Sequence, residues 1–384
     1  MTANELVTKE DLAYAVSIRR AIHEYPELGF ELPRTTTLVK QELDRMGIAL
    51  REDYAPCSIS GYIGSGARTL GIRADMDALP IDEKTGLPYA SRIPGRMHAC
   101  GHDAHTAILL TVARVMKRNE EKLPVRVKLL FQPSEECEVS GARAMLEGGA
   151  MEDVDVIIGT HCENTLESGR IGYFPGDYMA ACDPITITFR GKTAHATMAE
   201  NGVDAIAMAY AAVAEMKQLV KTIARDRMHV FSLGYFHGGT AHNVIADCCT
   251  LKISFRYYDM AMAAEIREAC SSACERIAAA YGGSVDIDWQ MSAPSLHNDE
   301  ALTEAFRACA EEVLPGRLTE MTAKKSTEDF AWFLTKRPGF LFRFGTRNEA
   351  KGCVRAQHCN DFELDEDAML SAVLAFVQFA LSME

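Results

Sequence analysis

Apolar side chains recur at helical spacing early in the chain, at Leu12, Val16, Ile18 and Ile22, which predicts an N-terminal helix. A second helix is predicted over residues 35–46, with Gly47 as its stop. Strand-like apolar runs follow at 58–63 and 69–73. Residues 74–101 then carry almost no periodicity, and an aperiodic stretch that long inside a compact domain is usually functional. Beyond it the pattern predicts helix 104–117, strand 125–131, helix 141–148 and strand 154–159. Strands alternating with helices predict an α/β layer built on a mostly parallel sheet.

The pattern changes near residue 180. Strand 185–190, an Ala-rich helix 204–222, strands 229–236 and 249–257, helix 261–281 and strand 284–289 follow in turn. That order is βαββαβ, a ferredoxin-like α+β arrangement of a size suited to a small separate domain. Helices 301–313 and 328–336, strand 340–344 and helix 367–381 then resume the first pattern. The expected organisation is a discontinuous domain of residues 1–176 and 294–384, with residues 177–293 inserted in it.

Composition narrows the function. Fifty-four acidic residues against 40 basic ones give a net charge of −14, which disfavours nucleic acid and anionic membrane surfaces as partners. An apolar content of 48% is too high for a disordered chain. The N-terminal sequence lacks the basic start and apolar run of a signal peptide, and no stretch reaches the roughly 20 apolar residues of a membrane span. The expected location is the cytoplasm. Twelve cysteines without a CxxC pair read mostly as reduced, buried thiols. Gly61-Tyr62-Ile63-Gly64-Ser65-Gly66 is glycine-rich but fits neither nucleotide-binding fingerprint.

Three segments gather metal-type ligands. Met97-His98-Ala99-Cys100-Gly101-His102-Asp103-Ala104-His105 lies at the end of the aperiodic stretch and the start of a helix, where backbone N–H groups favour a thiolate at Cys100. Gln132-Pro133-Ser134-Glu135-Glu136 and Gly159-Thr160-His161 each follow a predicted strand, and ligand sites of open α/β sheets lie beyond strand C-termini. Sulfur, nitrogen and oxygen donors together suit a borderline divalent metal. Two adjacent glutamates divide naturally into one ligand and one general base toward water. A different chemistry, with Cys100 as nucleophile and His102 or His161 as its base, explains the Cys-His pairing but not the paired glutamates. A non-catalytic binding protein on the same scaffold is the further alternative.

Arg73-Ala74-Asp75-Met76-Asp77-Ala78-Leu79-Pro80 followed by Met97–Asp103 resembles the M20 metallopeptidase superfamily, in its aminoacylase-like amidohydrolase branch. The resemblance continues at His23–Glu31, Gln132–Glu136, Gly191-Lys192-Thr193-Ala194-His195-Ala196, Gly238–Ile245, Glu328-Asp329-Phe330 and His358–Phe362. It implies two divalent ions (Zn²⁺, Mn²⁺, Co²⁺ or Ni²⁺) held by Cys100, His102, Glu136, His161 and His358. It implies Glu135 as general base and Asp77, or alternatively Asp75, as the carboxylate that orients the ligands. The inserted domain is then a lid and dimerisation domain. His195 would reach the active site of the other subunit in a homodimer, alongside Asn243, to bind substrate and its oxyanion. The implied reaction is hydrolysis of an N-acyl-L-amino acid to a carboxylate and the free amino acid.

The chain departs from the branch at Cys162–Gly169, where a proline-containing stretch is usual, at Asn360, where proline is common, and in the basic run Phe342–Asn348. None of these removes a ligand. They predict that Arg343, Arg347 or Arg355 influences substrate preference.

Overall fold

The computed structural model describes residues 1–51 and 54–383. Two compact units emerge. One comprises Met1–Tyr178, His297–Ala323 and Asp329–Glu384, and the other comprises Met179–Leu296 and Lys324–Glu328.

The first unit is built on an eight-stranded sheet in the order Leu50–Arg51, Ile59–Ile63, Arg126–Gln132, Thr69–Asp75, Val156–Glu167, Gly339–Arg347, Ile171–Tyr173 and Leu318–Glu320. The four strands from Arg126–Gln132 to Gly339–Arg347 run parallel, as the alternation of strands and helices predicts. The strand Thr69–Asp75 is buried at every position, which is what a central parallel strand covered on both faces requires. Helix His102–Lys117 packs against Thr69–Asp75, Lys9–His23 and Met369–Ser382. Its run Ala104-His105-Thr106-Ala107-Ile108-Leu109-Leu110 is buried on every side; small and apolar residues fill most of the circumference, and His105 and Thr106 are satisfied by hydrogen bonds to Asp75.

A buried polar network ties the sheet to its flanking segments. Asp329 accepts from Arg73 Nη2 (2.9 Å), Gln132 Nε2 (2.8 Å), Ser140 Oγ (2.7 Å) and the Ala142 N–H (3.2 Å). The helix expected at 328–336 starts only at Ala331 for this reason, and it ends at Leu334. Asp329 meets its partners from a turn, and tertiary hydrogen bonds override the local helical preference.

The second unit carries an antiparallel sheet in the order Ser284–Trp289, Ala181–Arg190, Cys248–Tyr257 and His229–Gly238. Helices Ala205–Ala224 and Met260–Tyr281 pack on it through Met208, Ala212, Met216, Ile266, Cys270 and Cys274. In sequence order the strands lie 4-1-3-2, the ferredoxin-like arrangement.

One strand differs from expectation in a way that matters for chemistry. The strand predicted to stop at Gly159 runs to Glu167. Thr160, His161, Glu163, Asn164 and Thr165 hide it in the sequence because they are polar. Its backbone nevertheless pairs with Gly339–Arg347 as far as Glu167, so His161 lies within the strand rather than beyond it.

Candidate metal centre

Each ligand-bearing segment is held by a specific local device. The stretch before Cys100 is pinched by reciprocal backbone hydrogen bonds between Leu79 and Met97, both 3.0 Å. Gly101 then takes φ = +87°, which a side chain would resist, and turns the chain into helix His102–Lys117. Ser134 at φ = +55° turns the backbone before the paired glutamates. Their N–H groups both donate to one carboxylate, Glu135 N to Asp77 Oδ1 (2.9 Å) and Glu136 N to Asp77 Oδ2 (3.1 Å). His358 adopts φ = +63°, and its N–H donates to Ala99 O at 2.8 Å, which docks the last segment on the first. Left-handed conformations at Ser134 and His358 are strained, and such strain concentrates where surrounding structure fixes functional groups.

These devices bring six side chains of the first unit together. Cys100 Sγ lies 3.3 Å from His161 Nε2 and 3.4 Å from His358 Nε2. His358 Nε2 lies 3.2 Å from Glu136 Oε1. His102 Nε2 stands 3.8 Å from Glu135 Oε2, 3.9 Å from Glu136 Oε1 and 3.7 Å from Asp75 Oδ2, and its Nδ1 stands 3.5 Å from Asp77 Oδ1. Donors that each sit about 2.0–2.3 Å from a shared ion are about 2.8–3.8 Å apart, which matches most of these separations. Overlapping donor groups form, among them Cys100/His102/His161, Cys100/Glu136/His358 and His102/Glu135/Glu136. Six donors exceed the four that a single zinc-type ion usually takes.

The donor chemistry fits a divalent cation. His102 is fully buried, yet neither ring nitrogen has a hydrogen-bond partner among the described residues, despite four carboxylates around it. Buried polar atoms left in that state are rare unless something else satisfies them. His161 is prepared in the complementary way. Its Nδ1 donates to Cys162 O at 2.9 Å, which leaves the Nε2 lone pair facing Cys100.

Electrostatics within the protein correct one expectation. Burial and the Glu136 carboxylate push the Cys100 thiol well above its ordinary range, against the thiolate expected at a helix start. A bound divalent cation would favour the thiolate instead. Burial, and then the Arg343 guanidinium, hold His161 well below the usual imidazole range and keep its nitrogen available. His102 is held well above its ordinary range because Asp75 and Asp77 outweigh its burial.

Asp75 and Asp77 prove to have different partners. Asp77 holds the glutamate backbone, whereas Asp75 accepts from Arg73 Nη1 (2.7 Å) and from His105 Nδ1 (2.6 Å). The three arginines also separate. Arg343 is 4% exposed, lies opposite His161 in the parallel pairing and donates through Nε to Tyr178 OH at 3.2 Å. Arg347 pairs with Glu349 (3.0 Å) and Arg355 with Asp361 (2.8 Å), both near the surface.

His195 and Asn243 belong to the second unit and neighbour each other there. The Ala196 N–H donates to Asn243 O (3.0 Å), and His195 forms an isolated bridge with Val244. His195 is exposed, with Nδ1 at 2.8 Å from Thr197 Oγ1. The cysteines are all free thiols, but not all are buried. Cys137, Cys248 and Cys359 are exposed, so the expectation of mostly buried thiols does not extend to these three. Sequence reasoning assigned no role to Gln357 or Cys162 and did not separate His105 from the other residues of its ligand-bearing segment; all three surround the ligands. Their only signal is proximity to His358, His161 and His102 in the chain.

A thiol, imidazoles and carboxylates converging at one edge of a mostly parallel sheet define a candidate divalent-metal site. The chain belongs to peptidase family M20/M25/M40, whose profile matches residues 71–382. It is 35% identical to an N-acetyl-L-cysteine deacetylase of Bacillus subtilis, an alignment that covers 93% of this chain and 85% of the relative. It is 33% identical to the IAA-amino acid hydrolase ILR1-like 4 of Arabidopsis thaliana, over 93% of this chain and 82% of the relative. Its fold is similar to that of the Bacillus subtilis YXEP protein, described as a dinuclear metal-binding peptidase of the M20 family. That match has a TM-score of 0.84 and 31% identity, and it covers 97% and 98% of the two chains. The protein is thus a metal-dependent amidohydrolase of this family.

Proposed function

We propose that the protein hydrolyses the amide bond of N-acyl-L-amino acids, releasing a carboxylate and the free amino acid. The observation that carries this reading is buried His102, its ring nitrogens without a hydrogen bond and ringed by carboxylates, beside Cys100, Glu136, His161 and His358. In the proposal these five side chains hold two divalent ions. A divalent ion at such a site polarises a substrate carbonyl and acidifies water. Zn²⁺, Mn²⁺, Co²⁺ and Ni²⁺ all suit this mixed donor set.

Glu135 is the proposed general base. It takes a proton from the attacking water at its carboxylate and delivers it to the leaving nitrogen. Asp77 is a positioning residue in this scheme, because it fixes the backbone of both glutamates through two hydrogen bonds. The inserted unit is the proposed lid and dimerisation domain, with His195 stabilising the oxyanion and Asn243 binding substrate. We assign the protein to the cytoplasm, as a homodimer. Among the described residues no helix is long and apolar enough to cross a membrane.

The relatives define the substrate panel that tests this reading. Release of free amino acid is measured by chromatography for N-acetyl, N-benzoyl and indole-acetyl amino acids, with Mn²⁺, Zn²⁺ or Co²⁺ supplied. At least one class is expected to turn over at a rate proportional to enzyme. No release from any member, by protein shown to hold metal, contradicts the proposed substrate class.

A further inference from the structure

Cys162 is bonded to every segment that carries a ligand in the Cys100–His161–His358 part of the centre. Its thiol lies 3.0 Å from Cys100 O. A carbonyl oxygen only accepts, so the S–H donates. Its N–H donates to His105 Nε2 at 2.9 Å. That leaves the His105 proton on Nδ1, where it is given to Asp75 at 2.6 Å. Its carbonyl accepts from His161 Nδ1 and from Gln357 Nε2, both at 2.9 Å. The same Gln357 amide, one residue before His358, donates to Cys162 Sγ at 3.1 Å.

Packing leaves this thiol one place to sit. Cys162 is fully buried, and a Cβ on Gly101 would stand 2.7 Å from its Sγ. The sulfur therefore rests on the bare Cα between Cys100 and His102. A single residue thus touches the backbone beside Cys100, the ring of His161 and the side chain beside His358.

We propose that Cys162 is a positioning residue that clamps Cys100, His161 and His358 into the geometry that retains metal. The thiol hydrogen bond to Cys100 O is the part of the clamp contributed by its side chain. This inference rests on the proposed ligand set. Removing outer partners of metal ligands commonly weakens retention by about 10–100-fold.

The test compares wild type, Cys162→Ala and Cys162→Ser. Zn²⁺ retention is measured by competition with a chromophoric chelator, and the thermal midpoint of each metal-free protein is recorded. Cys162→Ala is expected to hold Zn²⁺ at least about 10-fold more weakly. Cys162→Ser, which keeps an O–H donor, is expected to recover most of that loss, with metal-free midpoints alike. Retention by Cys162→Ala equal to wild type overturns the proposal, as does a serine variant no better than alanine. If Cys162→Ala does not fold, Gln357→Leu removes the amide that holds Cys162 from the His358 side. A comparable loss of retention there supports the clamp, and unchanged retention overturns it. Wild-type protein that binds no divalent ion overturns the ligand set itself, a separate result from the failure of the clamp alone.

Discussion

Replacing Glu135 by Gln is expected to lower kcat by about 10²–10⁴-fold while fold and metal content stay at wild-type levels. The amide keeps the size of the carboxylate, and the backbone N–H of residue 135 still donates to Asp77. What disappears is the group that accepts a proton from water. Loss at a general base falls on kcat more than on KM, because the proton moves only on the way to the transition state. Steady-state kinetics on the best N-acyl-amino acid, with metal measured on the same sample, checks this. Wild-type kcat in metal-loaded Glu135→Gln assigns the base elsewhere.

Cys100→Ser is expected to have the second large effect, on metal rather than on proton transfer. Cys100 Sγ lies within 3.4 Å of both His161 Nε2 and His358 Nε2, so it belongs to two overlapping donor groups. Serine replaces a soft thiolate with a hydroxyl that is a poor ligand for a borderline metal. Retention should fall by more than the loss expected from an outer-partner change, at least about 100-fold. Elemental analysis after gel filtration checks it, and unchanged metal content removes Cys100 from the ligand set.

Much of this architecture can be read from the sequence, because alternating strands and helices dictate a parallel sheet and its strand ends collect the ligands. The exceptions share a physical cause. His161 lies inside a strand whose polar residues conceal it, because backbone pairing with Gly339–Arg347, not side-chain apolarity, holds that strand. Asp329 delays the start of a predicted helix because four donors, from Arg73, Gln132, Ser140 and the Ala142 N–H, converge on its carboxylate. Cys162 has the composition of any buried thiol, and its importance comes from what folding places around it. Arg343 illustrates the same point. In sequence it is one of three arginines, but only in the folded chain is it buried beside His161.

The exposed thiols Cys137 and Cys359 adjoin Glu136 and His358 in the chain, so activity assays belong under reducing conditions. The measurement that tests the account most directly follows free amino acid released by wild-type protein before chelation, after chelation, and after Mn²⁺, Zn²⁺ or Co²⁺ is restored. The account predicts that release stops once the protein is metal-free and returns with the ion. Release that continues undiminished from protein shown to be metal-free would contradict it and favour thiol chemistry at Cys100, 3.3 Å from His161.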